Sequence, residues 1–191
     1  MKDERKVRDD LSYVRSALQR ADATAGDPAS IYFVWAAITF YGFAIIDFAP
    51  KSTGLYWLVA APLGGVLSAF LGYRSSRTSG QFSKREGWAL AMHWGGLLVA
   101  VLLIVPLATT EVIAPADFPR LVLLIVALSY FTAGVHLDRR LIPVSLALAA
   151  CYLLTVFVRE LPYLWTVTAA VVAASLAVAG LLAAARARQA A

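Results

Sequence analysis

The residues with the greatest potential for chemistry form a small polar set within two long apolar stretches of the chain. His93 lies seven residues after Glu86, and this spacing places both side chains on one face of a helix. Ser129, Thr132 and His136 share one face of the second stretch by the same rule. Polar groups are costly to bury in apolar surroundings, and ionisable ones found there are often functional. We therefore predict one candidate polar cluster made of these five residues.

Three interpretations of this cluster differ in what His93 does. In the first, a neutral His93 hydrogen-bonds a hydroxyl of Ser129 or Thr132, which lie at a similar depth along the facing helix. In the second, His93 contacts a substrate or a proton in a polar pocket that opens to the cytosol. In the third, His93 and His136 ligate a haem iron. A rise of about 1.5 Å per residue offsets the two histidines by about 7 Å in depth, which favours the first interpretation.

Sequence motifs of known catalytic and metal sites are absent from the chain. There is no Gly-x-Ser-x-Gly elbow, no His-Glu-x-x-His pair, no glycine-rich phosphate loop and no acidic pair within an apolar stretch. Cys151 is the only cysteine, so neither an intrachain disulfide nor a thiolate metal cage can form within one chain. We therefore predict no catalytic residue, no metal and no cofactor, with haem kept as the alternative named above.

Composition places the chain among integral membrane proteins. Of its 191 residues, 60% are apolar and 15% are charged, and the mean hydropathy is +0.70. An ordinary soluble domain is about 45–50% apolar and about 25% charged, and a soluble fold of this size could not bury the excess. A soluble enzyme, a disordered regulator and a disulfide-rich scaffold are thereby excluded.

The apolar residues fall into six segments that are each close to the roughly 20 residues needed to cross a bilayer. They lie at residues 31–48, 55–73, 87–109, 120–137, 141–158 and 163–185. These segments are too long for barrel strands and lack their alternation. We predict an all-α integral membrane protein whose six transmembrane helices form a bundle over residues 30–186, followed by a cytoplasmic tail at 187–191.

A different pattern precedes the first span. Val7, Leu11, Val14 and Leu18 repeat at heptad spacing with charged residues between them, which predicts a cytoplasmic amphipathic helix within residues 1–29. Three roles fit such a helix: it lies on the anionic inner leaflet, it docks on the bundle or a partner protein, or it forms a coiled coil. The coiled coil is the weakest of the three, because two heptads are marginal in water.

The distribution of basic residues sets the orientation of the bundle. Six crossings divide the lysines and arginines into two groups on opposite sides of the membrane. The side with both termini carries Lys2, Arg5, Lys6, Arg8, Arg15, Arg20, Arg74, Arg77, Lys84, Arg85, Arg139, Arg140, Arg186 and Arg188, and the other carries Lys51, Arg120 and Arg159. The positive-inside rule then places both termini on the cytoplasmic side of a bacterial-type inner membrane. The same distribution accounts for the net charge of +5 without a nucleic-acid partner.

Small residues on the second span predict close helix packing. Ala60, Gly64, Ser68 and Gly72 recur every four residues, and Gly65 belongs to a second row beside them. Such rows let helix backbones approach each other closely in lipid. Packing within the bundle is the favoured interpretation, and an interface between copies of the chain is the alternative.

Function is less well defined by the sequence than topology. The leading hypothesis is a non-enzymatic regulatory or assembly component, because intramembrane charges are few and loops are short. A small-solute transporter or channel is the second, and a haem-binding redox protein is the third. The expected partners are the lipid bilayer and either further copies of the chain or another membrane protein.

Overall fold

The computed structural model describes Tyr13 and residues 29–79, 84–158 and 160–190, and its secondary structure is helical without strands across those residues. The helices are α1 (Ala29–Phe48), α2 (Thr53–Ser79), α3 (Lys84–Thr109), α4 (Phe118–His136), α5 (Leu141–Phe157) and α6 (Leu164–Ala190), and a short 3₁₀ turn, Pro50–Ser52, joins α1 to α2. Five of the six are long and apolar enough to cross a membrane, and α5 is a shorter apolar helix. The prediction of an all-helical structure is confirmed, and five of the six predicted spans are candidate membrane-spanning helices by length and composition.

The predicted amphipathic helix falls almost entirely outside the described residues, which include only Tyr13 and Ala29 from the segment 1–29. At the other end of the chain, residues 187–190 of the predicted tail continue α6. Pro62 and Pro106 lie inside α2 and α3. Proline is tolerated there because membrane helices can satisfy the freed backbone groups in other ways.

The helices pack in an order that differs from their order in sequence. Helix α1 packs against α2 and α6, α6 packs against α5, α5 against α4, and α4 against α3. Going from each helix to its packed neighbour, the spatial order is therefore α2–α1–α6–α5–α4–α3. Within the described residues, α2 and α3 form no extensive contact with each other although they follow one another in the chain. We call α1, α4, α5 and α6 the core helices and α2 and α3 the outer helices.

Large apolar side chains fill the centre of the bundle that the core helices form. The most completely buried are Leu123, Val144, Leu148, Val172 and Leu176. Lipid tails are as apolar as these side chains, so moving a side chain from lipid into the bundle gains little hydrophobic free energy. The stabilisation comes from van der Waals packing between the helices. Close approach requires small residues at the crossings. Gly134 at the end of α4 meets Ile142 at the start of α5, and Gly180 of α6 meets Tyr32 of α1.

Carboxylates anchor α1 at both of its ends. Near its start, the Tyr32 hydroxyl donates to Asp138 Oδ2 at 2.7 Å, in the turn between α4 and α5. At its end, Asp47 accepts hydrogen bonds at 2.7 Å from both the backbone N–H and the hydroxyl of Thr166. Thr166 lies in the first turn of α6, whose N–H groups lack partners within the helix and carry partial positive charge. Asp47 therefore caps α6 from a neighbouring helix.

Arg120 is one of the three basic residues that the predicted topology separates from the other fourteen. The fold gives its side chain specific partners. Its Nε donates to the Thr155 carbonyl at 2.9 Å, which joins the start of α4 to the end of α5. Its guanidinium also pairs with Asp117, which precedes α4. The side chain is largely buried, so Arg120 contributes to the contact between two core helices.

Candidate functional site at the contact between α3 and α4

His93 of α3 and Ser129 of α4 meet across the contact between these helices. His93 Nε2 lies 3.2 Å from Ser129 Oγ, a hydrogen bond whose direction depends on the imidazole tautomer. Both side chains are partly buried. Since α4 is the helix against which α3 packs in the described structure, this bond is a polar contact at the main attachment of α3 to the bundle.

Two aromatic residues that the sequence analysis did not single out position this pair. The Trp94 ring contacts the His93 ring edge-on, with centroids 5.0 Å apart. Trp94 also packs edge-on against Tyr130 of α4 at 5.2 Å, and Tyr130 belongs to the buried core. Edge-to-face arrangements of this kind are the favoured geometry for aromatic pairs. The available signal was adjacency, because Trp94 and Tyr130 each directly follow a residue of the predicted cluster.

The remaining residues of the predicted cluster are not all brought together. Thr132 is exposed and donates to the Ser129 carbonyl at 2.9 Å in its own helix. His136 is exposed at the last residue of α4. Glu86 lies in the first turn of α3, and its side chain is outside the described part of the structure. His93, Ser129 and Thr132 thus share one region of the α3–α4 contact.

A groove of about 280 Å³ runs along this contact. It is lined by His93, Gly96, Leu97, Ala100, Ile125, Leu128, Ser129 and Thr132. His136 is not part of this lining. The described residues contain no group of three or more histidine, cysteine, aspartate or glutamate side chains that could hold a metal ion. The arrangement around His93 is suited to hydrogen bonding at one end of an apolar groove.

The predicted small-residue rows of α2 have two different environments. A Cβ atom added to Gly64 would lie 2.6 Å from Ile38 Cδ1 and 3.3 Å from the Trp35 ring of α1. Ser68 lies on the same row and accepts a hydrogen bond from Trp35 Nε1 at 2.9 Å. Ala60 of this row is partly buried. This part of the row therefore faces α1.

Gly65 and Gly72 differ from Gly64, because a Cβ atom at either position would meet nothing within 4 Å in the described structure. Gly65 is exposed and Gly72 is partly buried. The row that contains Gly65 therefore faces away from α1.

The contact between α1 and α2 also depends on aromatic residues that were not predicted. The Trp57 ring lies directly against Gly42, so an added Cβ atom there would clash with the ring. The Tyr56 hydroxyl donates to the Ile38 carbonyl at 2.8 Å. Trp57 and Tyr56 stand near the end of a predicted span, where aromatic residues are usually explained by the membrane interface. That general preference conceals their specific packing role.

No family model, curated protein or solved structure matches the chain. The geometry of the α1–α2 contact, the α3–α4 contact and the outward faces of α2 and α3 therefore carries the functional interpretation.

Proposed function

We propose that the protein is a non-enzymatic assembly or regulatory component of a membrane, which binds a membrane partner or further copies of itself through the outward faces of α2 and α3. The observation that carries this proposal is the difference in burial between outer and core helices. Only 6% of the span in α2 and 0% of the span in α3 is buried, against 33%, 28% and 39% for the spans in α1, α4 and α6. Apart from the faces that pack on α1 and α4, the outer helices thus leave most of their surface available to a neighbour in the bilayer.

The proposed topology has six crossings, with both termini and the amphipathic segment on the cytoplasmic side of a bacterial-type inner membrane. Helix α5 has 17 residues and extends about 26 Å at about 1.5 Å per residue, close to the thickness of a hydrocarbon core of about 30 Å. Its packing against α4 and α6 supports a sixth crossing. The asymmetry of lysine and arginine supports the orientation.

Hydrogen bonding inside the bundle favours assembly over the transporter hypothesis. Among the polar side chains within the spans, the buried Thr168 hydroxyl of α6 has no hydrogen-bond partner in the described structure. Seven others that could line a solute path bond within the chain: Thr39, Ser68, His93, Ser129, Thr132, Ser145 and Thr155. Most of these bonds join a hydroxyl to a carbonyl of its own helix three or four residues earlier, and the others join two helices. Hydroxyl groups used in this way contribute to helix structure and packing.

Site-specific photo-crosslinking in native membranes tests the proposal. A benzophenone amino acid replaces Leu103 of α3, which is 71% exposed, and in a matched control it replaces Leu146 of α5, which is 61% exposed. We expect a discrete protein–protein product from position 103 and only lipid adducts from position 146. Lipid adducts alone at both positions, or equal protein products at both, would contradict the proposal.

The absorption spectrum of the purified protein tests the haem hypothesis separately. We expect no Soret band from the wild type. A band that disappears in both His93→Leu and His136→Leu would replace the assembly proposal with haem ligation by these two histidines.

A further inference from the structure

We propose that the α3–α4 groove binds a neutral amphiphile that has one hydroxyl or carbonyl group at its head and a hydrocarbon chain. The groove separates its polar and apolar residues along its length. His93, Ser129 and Thr132 lie toward one end, and Ala100 and Ile125 lie toward the other. A ligand that matches this pattern needs a small hydrogen-bonding group attached to an apolar tail.

The polar end of the groove has hydrogen-bonding capacity beyond its internal contacts. A neutral imidazole has one donor and one acceptor nitrogen, and Nε2 of His93 faces Ser129 Oγ at 3.2 Å. The second ring nitrogen has no hydrogen-bond partner among the described residues. The Thr132 hydroxyl donates to the Ser129 carbonyl, so its oxygen lone pairs can still accept a hydrogen bond. A ligand hydroxyl can interact with both groups, and a ligand carbonyl with the imidazole.

The lining residues and the depth of His93 indicate that the ligand head is neutral. No lysine, arginine, aspartate or glutamate is among the described residues that line the groove. If the span of α3 enters lipid at Gly87, His93 lies about 9 Å inside it at about 1.5 Å per residue. A phosphate or ammonium head at that depth would be desolvated without an opposite charge, which is strongly unfavourable.

The apolar part of the groove is long enough to hold part of an extended hydrocarbon chain. The whole groove spans residues 93–100 of α3, a rise of about 10 Å, and its polar end lies at His93. Leu97 and Leu128 form part of the walls, and Gly96 adds no side chain. A Cβ atom on Gly96 would meet nothing within 4 Å in the described structure, so the space over this residue is open to a ligand.

Photolabelling of the purified full-length protein in nanodiscs tests this proposal. The probe is hexadecanol with a diazirine in its chain, and a second probe has the same chain with a phosphate head. We expect the alcohol to label residues of the groove and the phosphate to label them at background level. We expect His93→Leu to reduce labelling by the alcohol about three- to tenfold, the loss of roughly one membrane hydrogen bond.

Two adjacent glycines provide a matched control for the shape of the groove. Gly95 and Gly96 both have open space at the Cβ position, but only Gly96 lines the groove. Gly96→Leu should therefore abolish labelling while Gly95→Leu preserves it, and both proteins should fold. Equal labelling of these two variants, equal labelling by the two probes, or occupation of the groove by a cross-linked protein helix would overturn the proposal. A failure of the assembly experiment at Leu103 would leave these results unaffected.

Discussion

The core helices and the outer helices are similarly apolar, yet they differ in how much of each span is buried against the rest of the chain. Helix α3 contains a more apolar span than α1, and none of that span is buried, whereas a third of the span in α1 is. Hydropathy therefore identifies which segments enter lipid but does not indicate which of them form the centre of the bundle. Polar anchors at helix ends, such as Asp47 with Thr166, distinguish the core helices, whereas small residues at crossings also occur at the contact between α1 and α2. Apolar character alone does not separate the two groups, since lipid tails compete with apolar side chains for the same contacts.

Substitution of a glycine at a contact between two core helices should cause the largest loss of stability. A Cβ atom at Gly134 would lie 2.6 Å from Ile142 Cγ1 and 2.9 Å from the Ile142 backbone nitrogen. Because a backbone atom cannot rotate away, the α4–α5 contact must open. We expect Gly134→Ala to lower the free energy of unfolding by about 3 kcal/mol, the upper end of the usual cost of overpacking. Thermal or denaturant unfolding of the full chain in detergent measures this loss.

Gly95→Ala on outer helix α3 is the control, because its added methyl group has open space. Alanine gains about 1 kcal/mol over glycine in helix propensity at both positions, so the difference between the variants isolates the clash. Equal stability of the two proteins would show that the α4–α5 contact is looser than described.

The cap that α1 provides to α6 should be the next largest effect. Asp47→Ala leaves the Thr166 N–H and the start of α6 without their acceptor. We expect the free energy of unfolding to fall by about 2 kcal/mol, near the upper end for loss of a helix cap. Asp117→Ala is the control, because Asp117 precedes α4 without a side-chain cap hydrogen bond and is about half exposed. A loss at Asp117 as large as that at Asp47 would argue against a special role for the α1–α6 anchor.

The α1–α2 contact should be more tolerant than the core. A methyl group on Gly64 would approach Ile38 Cδ1, the end of a side chain that can change rotamer. We expect Gly64→Ala to cost about 1 kcal/mol relative to Gly65→Ala, whose methyl group has open space. Parallel unfolding curves of the two variants measure the difference. If Gly65→Ala is the more damaging variant, Gly65 packs against a second chain in the folded protein.

The sequence predicts the helices well and their packing partners poorly. Six apolar segments predicted six helices, because length and hydropathy are local properties that residues 31–48 or 87–109 carry by themselves. Burial of α6 against α1 depends on residues more than a hundred positions apart, such as Asp47 and Thr166, and no local pattern marks that pairing. The helix α6 is also too rich in alanine for one packing face to stand out.

The candidate site shows the same division between local and long-range information. Helical spacing placed Ser129 and Thr132 on one face, and depth placed them level with His93; the structure brings His93 within 3.2 Å of Ser129. Thr132 lines the same groove as His93, but its hydroxyl bonds the carbonyl three residues earlier in its own helix and not the imidazole. This local bond competes with any bond across helices, and the sequence spacing is compatible with both.

The smallest effect should come from the hydrogen bond that joins an outer helix to a core helix. His93→Leu removes the imidazole from Ser129, but the serine hydroxyl can bond a carbonyl of its own helix instead. We therefore expect a loss of only about 0.6 kcal/mol in the free energy of unfolding, the average for hydrogen bonds between membrane helices. His136→Leu, at an exposed helix end, should cost less still. A double-mutant cycle with Ser129→Ala separates this bond from lost packing, since the His93→Leu effect should shrink when the hydroxyl is already absent. An undiminished effect would mean that Trp94, and not the hydrogen bond, holds α3 against α4.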